Sequence, residues 1–164
     1  MLAQTPVQIA WVTRDLNATE RALGMLLGAK KWVRMPEVHF APDACTFHGR
    51  PADFVASISL SYAGDTQLEL IAPVSGDSVY TEFLDAVGPG LHHICVEKSG
   101  VEEFDAALAD AERGGASVVA QGVMPGGMRF AYVAAQAAGV PYVEIAYIPD
   151  DIKAFFEYVK QEQK

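Results

Sequence analysis

Two stretches of this sequence repeat each other at matched distances, and the repeat restricts the folds open to the chain. Gln8 opens Gln8-Ile9-Ala10-Trp11-Val12 and His93 opens His93-Ile94-Cys95-Val96-Glu97, while Glu69 begins Glu69-Leu70-Ile71-Ala72-Pro73 and Glu144 begins Glu144-Ile145-Ala146-Tyr147. Aligning Gln8 with His93 also brings Leu16 onto Val101, Ala22 onto Ala107 and Leu23 onto Leu108; after a short slip, Gly28-Ala29 falls on Gly115-Ala116. A repeat this long suits two fused half-domains better than a solenoid. Each half carries one metal-capable side chain near its first strand and one near its last, so the pattern implies a duplicated module that brings four ligands to one site.

Local patterning agrees with a plan of strand, helix and three strands, twice over. Residues 7–13 alternate as a strand, with Gln8 opposite the bulky Val7, Ile9 and Trp11. Asp15 or Asn17 can cap a helix that stops at Gly28. Residues 31–35 form a short strand, and 36–53, with three prolines, two histidines and a glycine, read as a long loop or irregular hairpin. Strands are expected at 54–62 and 66–73, then a short connector helix at 79–87. The second half has a strand at 91–98, a helix at 101–113, strands at 117–123, 128–134 and 141–148, and a final helix over 150–160. If Leu68 and Leu70 face the helices, Gln67 and Glu69 face the opposite, concave side; the same holds for Val143 and Ile145 against Tyr142 and Glu144. A carboxylate amid apolar strand residues is costly to bury unless it is paired, hydrogen-bonded or metal-bound.

Composition narrows the function classes. With 164 residues, about half of them apolar, the chain can bury a sizeable core without staples. A net charge of −9 argues against nucleic acid or an anionic membrane as partner. No apolar run is long enough to span a bilayer and no signal peptide is evident, so a cytoplasmic protein is expected. Cys45 and Cys95 read as reduced thiols.

The segments Gln8-Ile9-Ala10, Thr66 to Pro73, Gly88-Pro89-Gly90-Leu91-His92-His93-Ile94 and Tyr142-Val143-Glu144-Ile145 together resemble the vicinal oxygen chelate superfamily, which includes glyoxalases, methylmalonyl-CoA epimerases, extradiol dioxygenases and bleomycin-resistance proteins. The resemblance covers about residues 7–148. It implies an α+β fold in which two βαβββ modules form a cupped mixed sheet, with helices on the outer face and a C-terminal helix. A single domain over 1–164 is expected: module one at about 5–74, a connector at 75–90, module two at 91–148 and a terminal helix at 150–162. Carried over, the metal ligands are Gln8, Glu69, His93 and Glu144. That shell resembles the glutathione-dependent glyoxalase and implies zinc, nickel or cobalt, with Glu144 the first choice of base and Glu69 the second. Iron is disfavoured, since an extradiol dioxygenase needs a second histidine where Gln8 stands.

Two departures separate this chain from named relatives. Arginines that hold glutathione are replaced by Val12 and the Gly88-Pro89-Gly90 turn, and the epimerase's non-ligand glutamate is replaced by the polar run Ser57, Ser59 and Ser61. The expectation is a metal-dependent lyase or isomerase acting beside a carbonyl of a small or acyl molecule, with Ser57, Ser59, Tyr132 and Tyr142 contacting it. The alternatives are a ring-cleaving dioxygenase and a non-catalytic binding protein. His92 is expected to pack on the helix-facing side of its strand, His39 and His48 to lie in the long loop, and the chain to pair as a homodimer in the manner of its relatives.

Overall fold

Cap chemistry and strand alternation fix most element boundaries. In the computed structural model, which describes residues 3–164, β1 (Pro6–Val12) leads to α1 (Leu16–Leu27). The Asp15 side chain accepts from the Ala18 N–H, and left-handed Gly28 (φ 78) closes α1 by donating to the Gly24 carbonyl. Then come β2 (Val33–Phe40), β3 (Cys45–Phe47), β4 (Arg50–Pro51), β5 (Phe54–Ala63), β6 (Thr66–Ser75) and α2 (Val79–Ala86). The second half comprises β7 (Gly90–Lys98), α3 (Val101–Arg113), β8 (Val118–Val123), β9 (Arg129–Ala134), β10 (Tyr142–Tyr147) and α4 (Asp150–Gln161). No helix among the described residues is long and apolar enough to cross a membrane, and Cys45 and Cys95 are buried and free.

All ten strands join one mixed sheet in the order β2-β5-β6-β1-β7-β10-β9-β8-β3-β4. The two first strands, β1 and β7, run antiparallel at its centre, and each is flanked by the parallel last strand of its own half, β6 or β10. The fold is the expected α+β type, and its duplication is visible as mirrored strand order about the β1–β7 seam.

The segment 36–53 is more regular than a loop. Strand β2 continues to Phe40, and β3 and β4 form a hairpin whose two turn residues, His48 and Gly49, both have positive φ (52 and 77). That hairpin docks on β8 of the other half, a tertiary pairing that local propensity does not reveal. Only residues 41–44 separate β2 from β3, which stand near opposite ends of the sheet order, so the sheet must curl on itself. Phe40 bridges the closure, stacking on Phe54 at 4.4 Å and meeting Phe130 of β9 edge-on at 5.8 Å.

The convex face is covered by α1 and α3; Phe104 of α3 packs with Val96, Ala131, Val133 and Ile145. The concave face is closed by the other two helices. From α2, capped by a reciprocal Ser78–Thr81 box, Val79, Tyr80, Phe83 and Leu84 are buried at one end of the cup; each such side chain contributes about 1.5–3 kcal/mol of burial. Helix α4 crosses the other end and sets Ile152 and Phe156 against Ile148, Cys95 and Ala146. It is tied down by Lys160–Asp65 (2.7 Å) and by Gln163, whose amide donates to the Lys31 carbonyl (2.8 Å) and accepts from the Lys30 N–H (2.9 Å).

Candidate functional site

Strand register decides which side chains meet in the cup. Gln8 pairs with Gln67 on one side and Cys95 on the other; Ala10 pairs with Glu69 and with His93; Glu144 pairs with Cys95 and Tyr132. Paired residues share a face, so Gln8, Glu69, His93 and Glu144 all stand on the concave side of the four central strands. His93 Nε2 lies 3.4 Å from Glu69 and 3.5 Å from Glu144. Gln8, Glu69 and Glu144 line a cavity of about 640 Å³ enclosed between sheet and α4.

The electrostatics of this floor are unbalanced. Burial raises Glu69 to about 7. Glu144 is raised by burial as well, although the neighbouring His93, the Cys95 thiol and the Tyr132 hydroxyl favour its ionised form. Burial depresses His93, against the pull of Glu144. The His93 contacts are therefore those of a neutral imidazole between two carboxyl groups, not of an ion pair.

A bulge shapes the histidine arrangement. Leu91 pairs with Trp11 and His93 with Ala10, so His92 is the extra residue on β7. It therefore does not alternate to the convex side, as simple periodicity predicts. Its ring is fully buried in the aromatic cluster of Tyr80, Phe83, Tyr132 and Tyr142, and its Nδ1 lies 2.8 Å from Nδ1 of His93. Burial and the adjacent His93 push His92 down to about 2, so both rings are neutral and one proton serves the Nδ1 pair.

The donor set can be tested against a divalent ion. Among the described residues, no group of three or more His, Cys, Asp and Glu side chains is drawn into a metal-holding arrangement. Three buried polar atoms among the described residues nevertheless lack partners, Gln8 Oε1, His93 Nε2 and, within the aromatic cluster, His92 Nε2. Gln8 Nε2 donates to Gln67 Oε1 (2.5 Å), which directs its carbonyl oxygen elsewhere. An orphaned amide oxygen, an orphaned imidazole nitrogen and two carboxylates without a basic partner suit a hard or borderline divalent cation. The fit is one of donors, not of a formed coordination shell.

Other expected contacts are corrected by the register. Ser57 and Ser59 do not face the cup: Ser59 pairs with Leu70 on the convex side, its hydroxyl donating to Glu20 of α1 (2.7 Å), and Ser57 shares that side. The cup-facing residues of β5 are Ile58, Leu60 and Tyr62, so the serines serve the helix contact. Tyr132 lines the cavity, its hydroxyl 2.6 Å from that of Tyr80. Tyr142 does not; its ring is buried against His92 and Tyr132. His39 and His48 are exposed beside Asp53 and Glu82 and stay outside the cavity. Gln67 stands on the concave side as alternation predicts, although the sequence assigns it no role; Cys95 is a site residue without a sequence-based assignment, its spacing of two from His93 being the available signal. Tyr80 gave none, since its place depends on how α2 docks.

A family model described as the glyoxalase/bleomycin resistance protein/dioxygenase superfamily matches residues 7–132. No curated protein sequence matches the chain. Similar solved structures include methylmalonyl-CoA epimerase from Mycobacterium tuberculosis (21% identity, TM-score 0.60, covering 94% of this chain and 97% of that one). A hypothetical protein from Bacillus halodurans C-125 aligns at 16% identity and TM-score 0.61, covering 91% of this chain and 97% of that one. A variant of the Streptomyces coelicolor epimerase in complex with 2-nitronate-propionyl-CoA aligns at 18% identity and TM-score 0.59, with 91% and 97% covered. At these identities the likeness is one of fold.

Proposed function

The chain belongs to the glyoxalase/bleomycin resistance protein/dioxygenase superfamily, and from that premise we propose that it is a metal-dependent isomerase or lyase that moves a proton beside a substrate carbonyl. The observation that carries this reading is the meeting of two carboxyl groups on the floor of a cavity, Glu144 buried and Glu69 partly so, with a neutral, unpartnered imidazole nitrogen of the fully buried His93 behind them. Gln8, Glu69, His93 and Glu144 would hold the ion, zinc, nickel or cobalt before iron because a single histidine is present. When bound, such an ion supplies positive charge against a developing oxygen anion. Protons that burial favours on Glu69 and Glu144 would leave when these side chains act as ligands.

Glu144 is the first choice of base, since Cys95 and Tyr132 beside it favour its carboxylate. It takes the proton from the carbon next to the carbonyl; the C–H electron pair moves into the carbon–carbon bond and the carbonyl pair onto oxygen. Return of that proton, to the same carbon or its neighbour, completes an isomerisation. Glu69 is the second choice. The fold neighbours named as methylmalonyl-CoA epimerases support an isomerase-type reaction. The aromatic and aliphatic walls favour one other reading, a protein that sequesters an apolar molecule without turnover.

Metal analysis tests the proposal. Protein purified without added metal and then dialysed against zinc, nickel or cobalt is expected to retain about one ion per chain. His93→Ala and Glu144→Ala are each expected to lose it while keeping the native circular dichroism spectrum. Failure of the native chain to hold any of the three ions would favour the sequestering protein; iron with oxygen uptake on a catechol would favour the dioxygenase.

A further inference from the structure

The walls of the cup carry information that its floor does not. Above the carboxyl groups the cavity is bounded by Met35, Phe40 and Leu60 on one side and by Met128, Phe130 and Phe156 on the other. At about 640 Å³ its volume falls in the range that holds a compact small molecule. Aromatic rings offer flat dispersion surfaces, and flexible methionines adapt to the outline of what lies between them.

Charge excludes a large anionic ligand. The lining includes six carboxyl side chains, Asp65, Glu69, Glu97, Glu144, Asp151 and Glu157, against two ammonium groups and no guanidinium. Both lysines are already engaged, Lys153 with Glu97 (3.2 Å) and Lys160 with Asp65 (2.7 Å). An acyl-CoA thioester carries a diphosphate and a further phosphate that need cationic or amide partners wherever the tail emerges. This rim would repel them, and so would the charge of the whole chain, −9.

Resting on the reading of the cup as a proton-transfer site, we infer that its substrate is an uncharged, compact and largely apolar molecule that places its carbonyl or hydroxyl oxygens at one end, on the carboxyl floor, and not an acyl-CoA ester. The apolar body replaces water against the rings and methionines, while the oxygen end meets Gln8, Glu69 and Glu144. Helix α4 supplies one wall through Ile152 and Phe156, so the identity of that helix bears directly on what the cup accepts.

The test uses the full chain loaded with zinc, titrated calorimetrically with phenylacetylcarbinol, a neutral ketol with a phenyl body, and separately with methylmalonyl-CoA. The ketol is expected to bind with a Kd below about 1 mM, changed by less than about twofold on raising salt, and methylmalonyl-CoA at least about tenfold more weakly. Ile152→Glu and Met35→Glu, which set a charge in opposite walls, are each expected to weaken the ketol about tenfold in protein whose circular dichroism spectrum remains native, at some cost in thermal midpoint. Equal or tighter binding of methylmalonyl-CoA, no binding of the ketol, or native ketol affinity in both folded variants would overturn the inference. Deuterium exchange at the ketol's carbinol carbon, followed by NMR, separates the two readings. Ketol binding without exchange would count against proton transfer and leave the substrate class standing; epimerisation of methylmalonyl-CoA without ketol binding would do the reverse.

Discussion

Glu69 and Glu144 occupy equivalent places in the two halves, each on the last strand of its module and each facing the cup, yet their surroundings differ. Around Glu144, module two supplies His93, Cys95 and Tyr132, which together favour the carboxylate. Around Glu69, burial raises the group to about 7, and its near neighbour His93, 3.4 Å away, is a neutral imidazole that does not offset this. Duplication thus repeated the backbone position, while the neighbouring strands diverged and set the proton affinity. One plan used twice yields two carboxyl groups that burial shifts towards the neutral form, one of them with neighbours that partly oppose the shift and one without.

The largest expected effect comes from removing the uncompensated member. A carboxyl whose folded pKa lies above its ordinary 4.5 contributes stability that is fully present below 4.5 and is lost as pH rises through about 7. In chelator-treated protein at about pH 8, Glu69→Gln is therefore expected to be more stable than the native chain by about 3 kcal/mol, falling below about 1 kcal/mol near pH 5. Urea denaturation at the two pH values measures both. Equal stability at the higher pH would mean that Glu69 has a compensating partner and that the two halves are electrostatically alike.

The bulge is the second asymmetry, since β7 holds an extra residue that leaves His92 facing the same aromatic cluster as His93. For a histidine the sign is opposite. With His92 held neutral down to about 2, the unfolded chain binds a proton below about 6.5 that the folded chain refuses, so this group's contribution is lost as pH falls from 6.5 towards 2. Between about pH 6.5 and 5 the loss is about 2 kcal/mol. His92→Phe, which keeps an aromatic ring among Tyr80, Phe83 and Tyr142, should flatten the acid limb of the stability profile by that amount. An unchanged limb would show that His92 is protonated when folded.

What the sequence made legible follows from period and punctuation. Alternation placed Glu69 and Glu144 on the concave side, and Gly28, Gly88 and Gly90 marked breaks between elements. Three features escaped it for physical reasons. The β3–β4 hairpin is stabilised by pairing with β8, some seventy residues distant along the chain, so its own prolines and histidines read as loop. The bulge inserts one residue without altering the run of apolar letters, so alternation alone puts His92 on the wrong side. On β5, the polarity of Ser57 and Ser59 suggests orientation towards the pocket, although a polar residue equally faces a helix that offers it a carboxylate.

The third strands of the two halves differ on their convex faces, and the smallest expected effect lies there. In module two, the convex residues of β9 are apolar, with Ala131 and Val133 packed beneath Phe104 of α3. In module one, the convex residues of β5 are serines, because Glu20 of α1 lies there, bridged to Arg34 of β2 (2.8 Å) and accepting from Ser59 (2.7 Å). Both strands turn apolar or aromatic residues into the cup, so the pocket walls are shared in kind and the helix contacts are not. Ser59→Ala removes one hydrogen bond while Arg34 still satisfies Glu20, so the cost should be only about 1 kcal/mol by urea denaturation. Binding of phenylacetylcarbinol should stay within about twofold of native, a span of about 0.4 kcal/mol. A tenfold loss of ketol affinity at unchanged stability would place Ser59 in the cup and reverse the face assignment of the whole strand, because a strand cannot turn one of its alternate residues inward without turning the others.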